Sequence, residues 1–166
     1  MPMLAVAGIG RDAQAIAVTR PWLKRRFGWL AYAESGGRAA FDTALPMKVS
    51  LDDGPELDVD VWSVLVAALP RLPLGVVAFA DVAPGDDSFE VLQVKLTRPR
   101  EWWLAAAKGV AHLSRPVAAL NYQRARHVLV RPRESCAVQL DGDLVSGVEA
   151  MRVRMQPVAV SIATRN

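Results

Sequence analysis

Met47-Lys48-Val49-Ser50-Leu51-Asp52-Asp53-Gly54-Pro55-Glu56-Leu57-Asp58-Val59-Asp60-Val61 is the stretch that decides the fold. Met47, Val49 and Leu51 alternate with polar neighbours. Asp52-Asp53-Gly54 then supplies turn chemistry, and Leu57, Val59 and Val61 resume the alternation around Asp58 and Asp60. Successive side chains of a strand point to opposite faces, so this pattern predicts a β-hairpin with one apolar and one wet face.

The same period recurs downstream. Val128 and Val130 alternate, residues 136–140 read as a strand, Asp141-Gly142-Asp143 turns, and Met151, Val153 and Met155 alternate with Arg152 and Arg154. Val158, Val160 and Ile162 close the chain in the same way. Residues 64–69 and 74–80 are apolar runs bounded by prolines and predict buried strands; 89–96 predicts another. Upstream, residues 3–7 predict a short strand that Gly8-Ile9-Gly10 turns, and Asp12 is placed to cap a helix over 13–19. Pro21 suits the first position of a second helix over 21–33, and Pro99 opens a third over 99–110. The fold expected is mainly β: a two-layer antiparallel β-sandwich with helices near the N-terminus and one mid-chain.

The 166 residues predict a single domain over 1–166, large enough to bury a core without covalent staples. Hydrophobic residues make up 52% and charged ones 22%, which excludes a disordered chain. One cysteine, Cys136, and two histidines, His112 and His127, exclude an internal disulfide and a Cys/His zinc site. A reducing, cytoplasmic setting fits. No apolar run reaches the roughly 18 residues of a membrane span, and no signal peptide is legible. The net charge of +3 permits attraction to phosphates without requiring it.

The motifs each carry a structural and a chemical reading. Gly8-Ile9-Gly10 lacks the third glycine and the later acid of a dinucleotide fingerprint, and no GxxxxGK[ST] phosphate loop is present. Asp12, just past the glycines, is a helix cap or a carboxylate that orients a substrate hydroxyl or amine. Ala83-Pro84-Gly85-Asp86-Asp87-Ser88 is a solvated turn or a hard-cation loop of carboxylate and carbonyl oxygens. Gln139-Leu140-Asp141-Gly142-Asp143 is a hairpin turn whose exposed carboxylate can take a proton from a hydroxyl. Residues 20–29, with Arg20, Lys24, Arg25 and Arg26 among Trp22, Phe27 and Trp29, form an amphipathic helix packed on the sheet or an interfacial helix on anionic lipid. No nucleic-acid motif supports a third role for it. Ser63 and His127 fit no nucleophile triad.

Taken in order, five segments resemble one family. Ala7-Gly8-Ile9-Gly10-Arg11-Asp12-Ala13 resembles the AGxGxDA-like opening of the second domain of diacylglycerol kinases, sphingosine kinases and bacterial YegS-like lipid kinases. Arg26-Phe27-Gly28-Trp29-Leu30-Ala31-Tyr32 resembles the helix that follows it. Ala83-Pro84-Gly85-Asp86-Asp87-Ser88-Phe89 resembles the proline-then-DDG loop, Gln139-Leu140-Asp141-Gly142-Asp143 the QxDGE turn, and Met155-Gln156-Pro157-Val158-Ala159-Val160 the closing VxPxAL-type strand.

The resemblance implies the C-terminal, lipid-side β-sandwich of a two-domain kinase that moves the γ-phosphoryl of ATP to a lipid hydroxyl. It implies Asp12 and Gly10 at the lipid head group, Asp143 as the catalytic base, and a structural Mg2+ held by Asp86 with Ser88 and Ala83. Its partners would be a lipid such as diacylglycerol and the inner membrane surface, touched peripherally from the cytoplasm. Nucleic acid is not expected, and a homo-oligomer is compatible with the sequence. Three departures qualify the match: no GGDGT nucleotide loop, Asp143 where the family has glutamate, and Asp87 where it has glycine. The chain alone is therefore expected not to phosphorylate lipid, with ATP entering only through a nucleotide-binding domain on another chain. The alternative is a non-catalytic lipid- or protein-binding β-sandwich module.

Overall fold

The computed structural model describes residues 2–3, 5–13, 44–69, 86–95, 101 and 117–156. Within them lie ten strands: β1 (Val6–Gly10), β2 (Leu45–Leu51), β3 (Leu57–Val61), β4 (Ser63–Ala67), β5 (Phe89–Val94), β6 (Leu120–Ala125), β7 (His127–Pro132), β8 (Cys136–Leu140), β9 (Asp143–Val148) and β10 (Met151–Arg154). The expected helices over 21–33 and 99–110, the strands over 74–80 and 158–162, and the basic segment 20–29 lie outside the described residues, apart from Glu101, which is helical. Among the described residues no helix is long and apolar enough to cross a membrane.

The strands form two antiparallel sheets. One has six strands in the order β6-β5-β4-β1-β8-β9, the other four in the order β10-β7-β2-β3. The hairpin that opened the sequence reading is β2–β3, with Met47 opposite Val59 and Val49 opposite Leu57. Its apolar face meets the six-stranded sheet. Met47, Val49, Val128, Val130, Met151 and Val153 from one side pack with Ala7, Ile9, Val64, Val66, Val91 and Val138 from the other. The protein is thus mainly β with two facing sheets, as the alternation predicted. A second, smaller cluster covers the opposite face of the six-stranded sheet, with Val6, Trp62, Ala67, Leu92 and Val94.

The N-terminal strand differs from expectation. The predicted turn at Gly8-Ile9-Gly10 is itself strand, paired through Gly8 with Leu65 on β4 and Gln139 on β8. Glycine reads as a breaker in a sequence because it is costly in a strand interior. Here both glycines are needed for close approach. A Cβ at residue 10 would lie 2.7 Å from the Trp62 carbonyl oxygen, and Gly10 also takes a φ of +122°. Asp12 is not the cap expected either. Arg11, Asp12 and Ala13 are all helical, so Asp12 sits inside the first turn and its carboxyl is free to fold back.

The Asp141-Gly142 turn behaves as predicted. Both residues take positive φ, 51° and 96°, the two-residue hairpin geometry that matches strand twist. Asp141 does more than turn: its Oδ1 accepts the N–H groups of Ala5 and Val6, each at 2.8 Å, and so ties the turn to the start of β1.

Ile9 is fully buried at the centre of the inter-sheet core, whereas Leu57 is 60% exposed at a sheet edge. We expect Ile9→Ala to lower the unfolding free energy by about 2–5 kcal/mol and Leu57→Ala to change it by less than about 0.5, as read by urea denaturation. Equal effects would mean the two sheets do not share the core described.

Candidate functional site

The site is built around the exit of β1. Gly10 pairs with Ser63 at the start of β4, which brings the serine hydroxyl under the first helical turn. Ser63 Oγ accepts the backbone N–H of Asp12 at 3.0 Å and donates to Asp12 Oδ1. One serine thereby fixes both the main chain and one carboxylate oxygen of Asp12. The other oxygen, Oδ2, lies out of contact with water and has no hydrogen-bond partner among the described residues. It rests over Gly8, where a Cβ would overlap it and would stand 2.8 Å from Leu65 Cδ2. The missing side chain at Gly8 is what makes room for the carboxyl.

Burial dominates the electrostatics. It pushes the Asp12 carboxyl from 3.8 up to about 6, against the opposing hydrogen bond from Ser63 and the backbone N–H groups of Ala13 and Asp12 itself. A buried carboxylate with one oxygen bonded and one bare is poised to accept a hydrogen bond from a ligand hydroxyl or amine. Cys136, at the start of β8, is a neighbour: burial first, and then the Asp12 charge, push its thiol up.

The other acidic positions are elsewhere. Asp143 is exposed, and its side chain makes no hydrogen bond or ion pair among the described residues. It pairs with Leu140, which pairs with Ala7, and both of those side chains face the inter-sheet core. Asp143 therefore projects toward the face of the sheet opposite the one that carries Asp12 and Gly8. Strand β9 is also two places from β1, about 10 Å across the sheet. Asp12 and Gly10 are brought together; Asp143 does not join them. Asp86, at the entry to β5, is four strand spacings from β9, about 19 Å.

The loop at Asp86 is held by arginines. Arg124 Nη2 donates to Asp86 Oδ2 at 2.6 Å and its Nε to Ser88 Oγ at 3.2 Å, while Arg126 pairs with Asp87. Ala83 lies outside the described residues. A hard cation needs several converging oxygens, and among the described residues no three His, Cys, Asp or Glu side chains converge. Asp86 and Ser88, the two expected donors among the described residues, are both engaged by the same guanidinium. A cleft of about 720 Å³ opens beside this loop, lined by Asp52, Asp87, Ser88, Arg124, Arg126 and His127. Its charges are matched in pairs, with His127 Nδ1 2.9 Å from Asp53 Oδ2.

Sequence reading passed over Ser63 and Gly8. The signal for Ser63 was present: it is the one hydroxyl in the apolar run 61–67, and it is fully buried. A polar group at such a position needs a partner, and Asp12 is that partner.

Two outcomes follow. The Asp12 carboxyl binds its proton more tightly folded than unfolded, so its contribution favours folding at low pH and is lost as pH rises from about 4 to about 6. Wild type should lose about 3 kcal/mol relative to Asp12→Asn across that window, measured by denaturation at several pH values. A constant difference would mean the carboxyl is not buried. Mg2+ or a chelator should leave the melting temperature unchanged, whereas Arg124→Ala should cost up to about 1 kcal/mol, the scale of a partly exposed ion pair. A melting temperature that rises with Mg2+ would contradict the arginine-held loop.

No protein-family profile and no curated protein matches the chain. Solved structures do. A crystal structure of a diacylglycerol kinase from Bacillus anthracis str. Sterne superposes with a TM-score of 0.65 at 17% identity, over 93% of this chain and 50% of that one. Two putative diacylglycerol kinases from the same organism give 0.63 at 16% and 0.66 at 15%, covering 95% and 93% of this chain and 54% and 50% of theirs. The chain spans about half the length of these structures, and it shares the fold of that half.

Proposed function

We propose that the chain is the lipid-side, C-terminal half of a diacylglycerol-kinase-like lipid kinase, and that Asp12 receives the lipid hydroxyl. The observation that carries this reading is the divided carboxyl of Asp12, with Oδ1 held by Ser63 and Oδ2 buried, bare and directed over Gly8. Above about pH 6 the group is ionised and Oδ2 accepts the O–H of a lipid such as diacylglycerol. Gly10 lets the chain turn tightly enough to present it.

Phosphoryl transfer then requires ATP, bound by a nucleotide-binding half that the described residues do not contain. The lipid oxygen attacks the γ-phosphorus, the bond to the β-phosphate oxygen breaks, ADP leaves, and the hydroxyl proton passes to a carboxylate. Asp143, exposed and unpaired, stands for that base only as a group presented to the other half from the rim of the sheet. No divalent ion is assigned to the Asp86 loop. The chain would work peripherally at the cytoplasmic face of a membrane.

The separation of Asp12 and Asp143 onto opposite faces favours a second reading, in which the same pocket binds lipid without catalysis.

The test is flotation with neutral vesicles carrying either diacylglycerol or its O-acetylated form. Wild type should prefer the free hydroxyl, and Gly8→Ala or Asp12→Asn should weaken that preference about 10- to 100-fold, the value of a charge-assisted hydrogen bond. Equal binding of the blocked lipid ends the proposal. Hydroxyl-dependent binding with no phosphorylated product, in the presence of ATP and a lipid kinase's nucleotide-binding half, selects the second reading.

A further inference from the structure

The outer face of the four-stranded sheet carries charge in ordered rows. Lys48 stands across from Asp58 on β3 and from Arg131 on β7, and Arg131 Nε lies 3.1 Å from Glu56. His127 holds Asp53. These cations have carboxylates beside them. The two on the edge strand β10, Arg152 and Arg154, are exposed and form no ion pair among the described residues, and the carboxylate that feels their charges, Asp53, is already held by His127. They are two residues apart and so share a face, about 6.7 Å apart along the strand. Arg152 stands opposite Leu129 and Arg154 opposite His127.

Between them is a hollow of about 100 Å³, lined by Ser50, Asp53, His127, Leu129, Arg152 and Arg154 among others. Pockets for nucleotide- or drug-sized ligands run to several hundred Å³. This hollow is suited to a single phosphate group. Its one carboxylate, Asp53, is held by His127, and its own acidity is raised first by that hydrogen bond and then by the charges of His127, Arg154 and Arg152. Two outward guanidiniums outside any ion pair among the described residues, on the rim of a sheet face, complement a plane of phosphodiesters better than a grooved duplex.

We propose that the β10 side of this face docks on an anionic phospholipid bilayer, with one head-group phosphate held between Arg152, Arg154 and His127. The surface is on the four-stranded sheet, whereas Asp12 follows β1 of the six-stranded one, and the proposal stands whether or not Asp12 receives a lipid hydroxyl. It would hold the domain against the bilayer by charge alone.

The experiment is co-sedimentation with vesicles of phosphatidylcholine, and of phosphatidylcholine mixed with phosphatidylglycerol, at two salt concentrations. Neither vesicle contains diacylglycerol, so failure here leaves the Asp12 reading intact. Binding should require phosphatidylglycerol and weaken with salt. Arg152→Glu with Arg154→Glu should reduce it by about 20-fold or more, since each cation at such a surface contributes about fivefold. Asp53→Asn should strengthen it several-fold; asparagine tolerates the positive φ of 59° at that position and still accepts from His127, so folding is preserved. Arg20→Glu with Lys24→Glu should leave most of the binding in place. Absence of phosphatidylglycerol-dependent binding, indifference to both the β10 and Asp53 substitutions, or tighter binding of a DNA duplex than of vesicles at matched phosphate overturns the proposal.

Discussion

Strand β1 must do two things at once, and the rest of the molecule is arranged around that constraint. It is central in the six-stranded sheet, with β4 on one side and β8 on the other. On its inner face Ala7 and Ile9 enter the shared core. On its outer face Val6 is followed by Gly8 and Gly10; the returning carboxyl of Asp12 fills the space over Gly8, and the Trp62–Ser63 segment closes on Gly10. A side chain at either glycine would push Asp12 or the Trp62–Ser63 backbone away. The two hydrogen bonds between Ser63 and Asp12, and those that the Ala5 and Val6 N–H groups donate to the Asp141 carboxylate, then fix the two ends of the same strand.

This arrangement explains which parts of the fold could be read in the sequence. β2, β3, β7 and β10 belong to a sheet with one wet face, so their apolar residues alternate and the strands were legible, as was the pairing of β2 with β3 across their turn. The Asp141-Gly142 turn was legible because few residues accept positive φ. β6 and β9 are the two edges of the six-stranded sheet. β9 is largely exposed, and in β6 the alternation of Leu120 and Tyr122 with Asn121 and Gln123 covers only four residues before Arg124, too short a signal to be read. β1 was misplaced by a few residues because two glycines that serve close packing look the same, in one sequence, as two glycines that serve a turn.

The acidic clusters divide along similar lines. Asp52 Oδ1 accepts the N–H groups of Arg126 and His127 at 2.7 and 2.9 Å, more than 70 residues away in sequence. Asp141 joins the β8–β9 turn to the start of the described chain, and Asp86 and Asp87 hold Arg124 and Arg126. These three acidic patches, two of which invited chemical readings, are therefore cross-links between distant segments. Their partners were invisible in the sequence because nothing local links Asp86 to Arg124. A carboxylate satisfied by a guanidinium has little left to offer a cation or a substrate, which is why counting acids in loops overstates chemistry.

Asp12 differs from all of these in one respect: its surroundings oppose its charge. Asp52, Asp86, Asp87 and Asp141 each have a hydrogen-bond donor from a distant segment beside the carboxylate. At Asp12 burial outweighs the donors, and the carboxyl titrates near the pH at which a cell operates. Structure alone gives no reason to keep a carboxylate at such a point, because a neutral amide would fit the same hydrogen bond to Ser63 and spare the desolvation. The proposed contact with a lipid hydroxyl would account for a carboxyl held against the stability of its own fold: Oδ2, without a partner among the described residues, lies over Gly8 on the face opposite Asp143, where such a contact is separate from proton transfer.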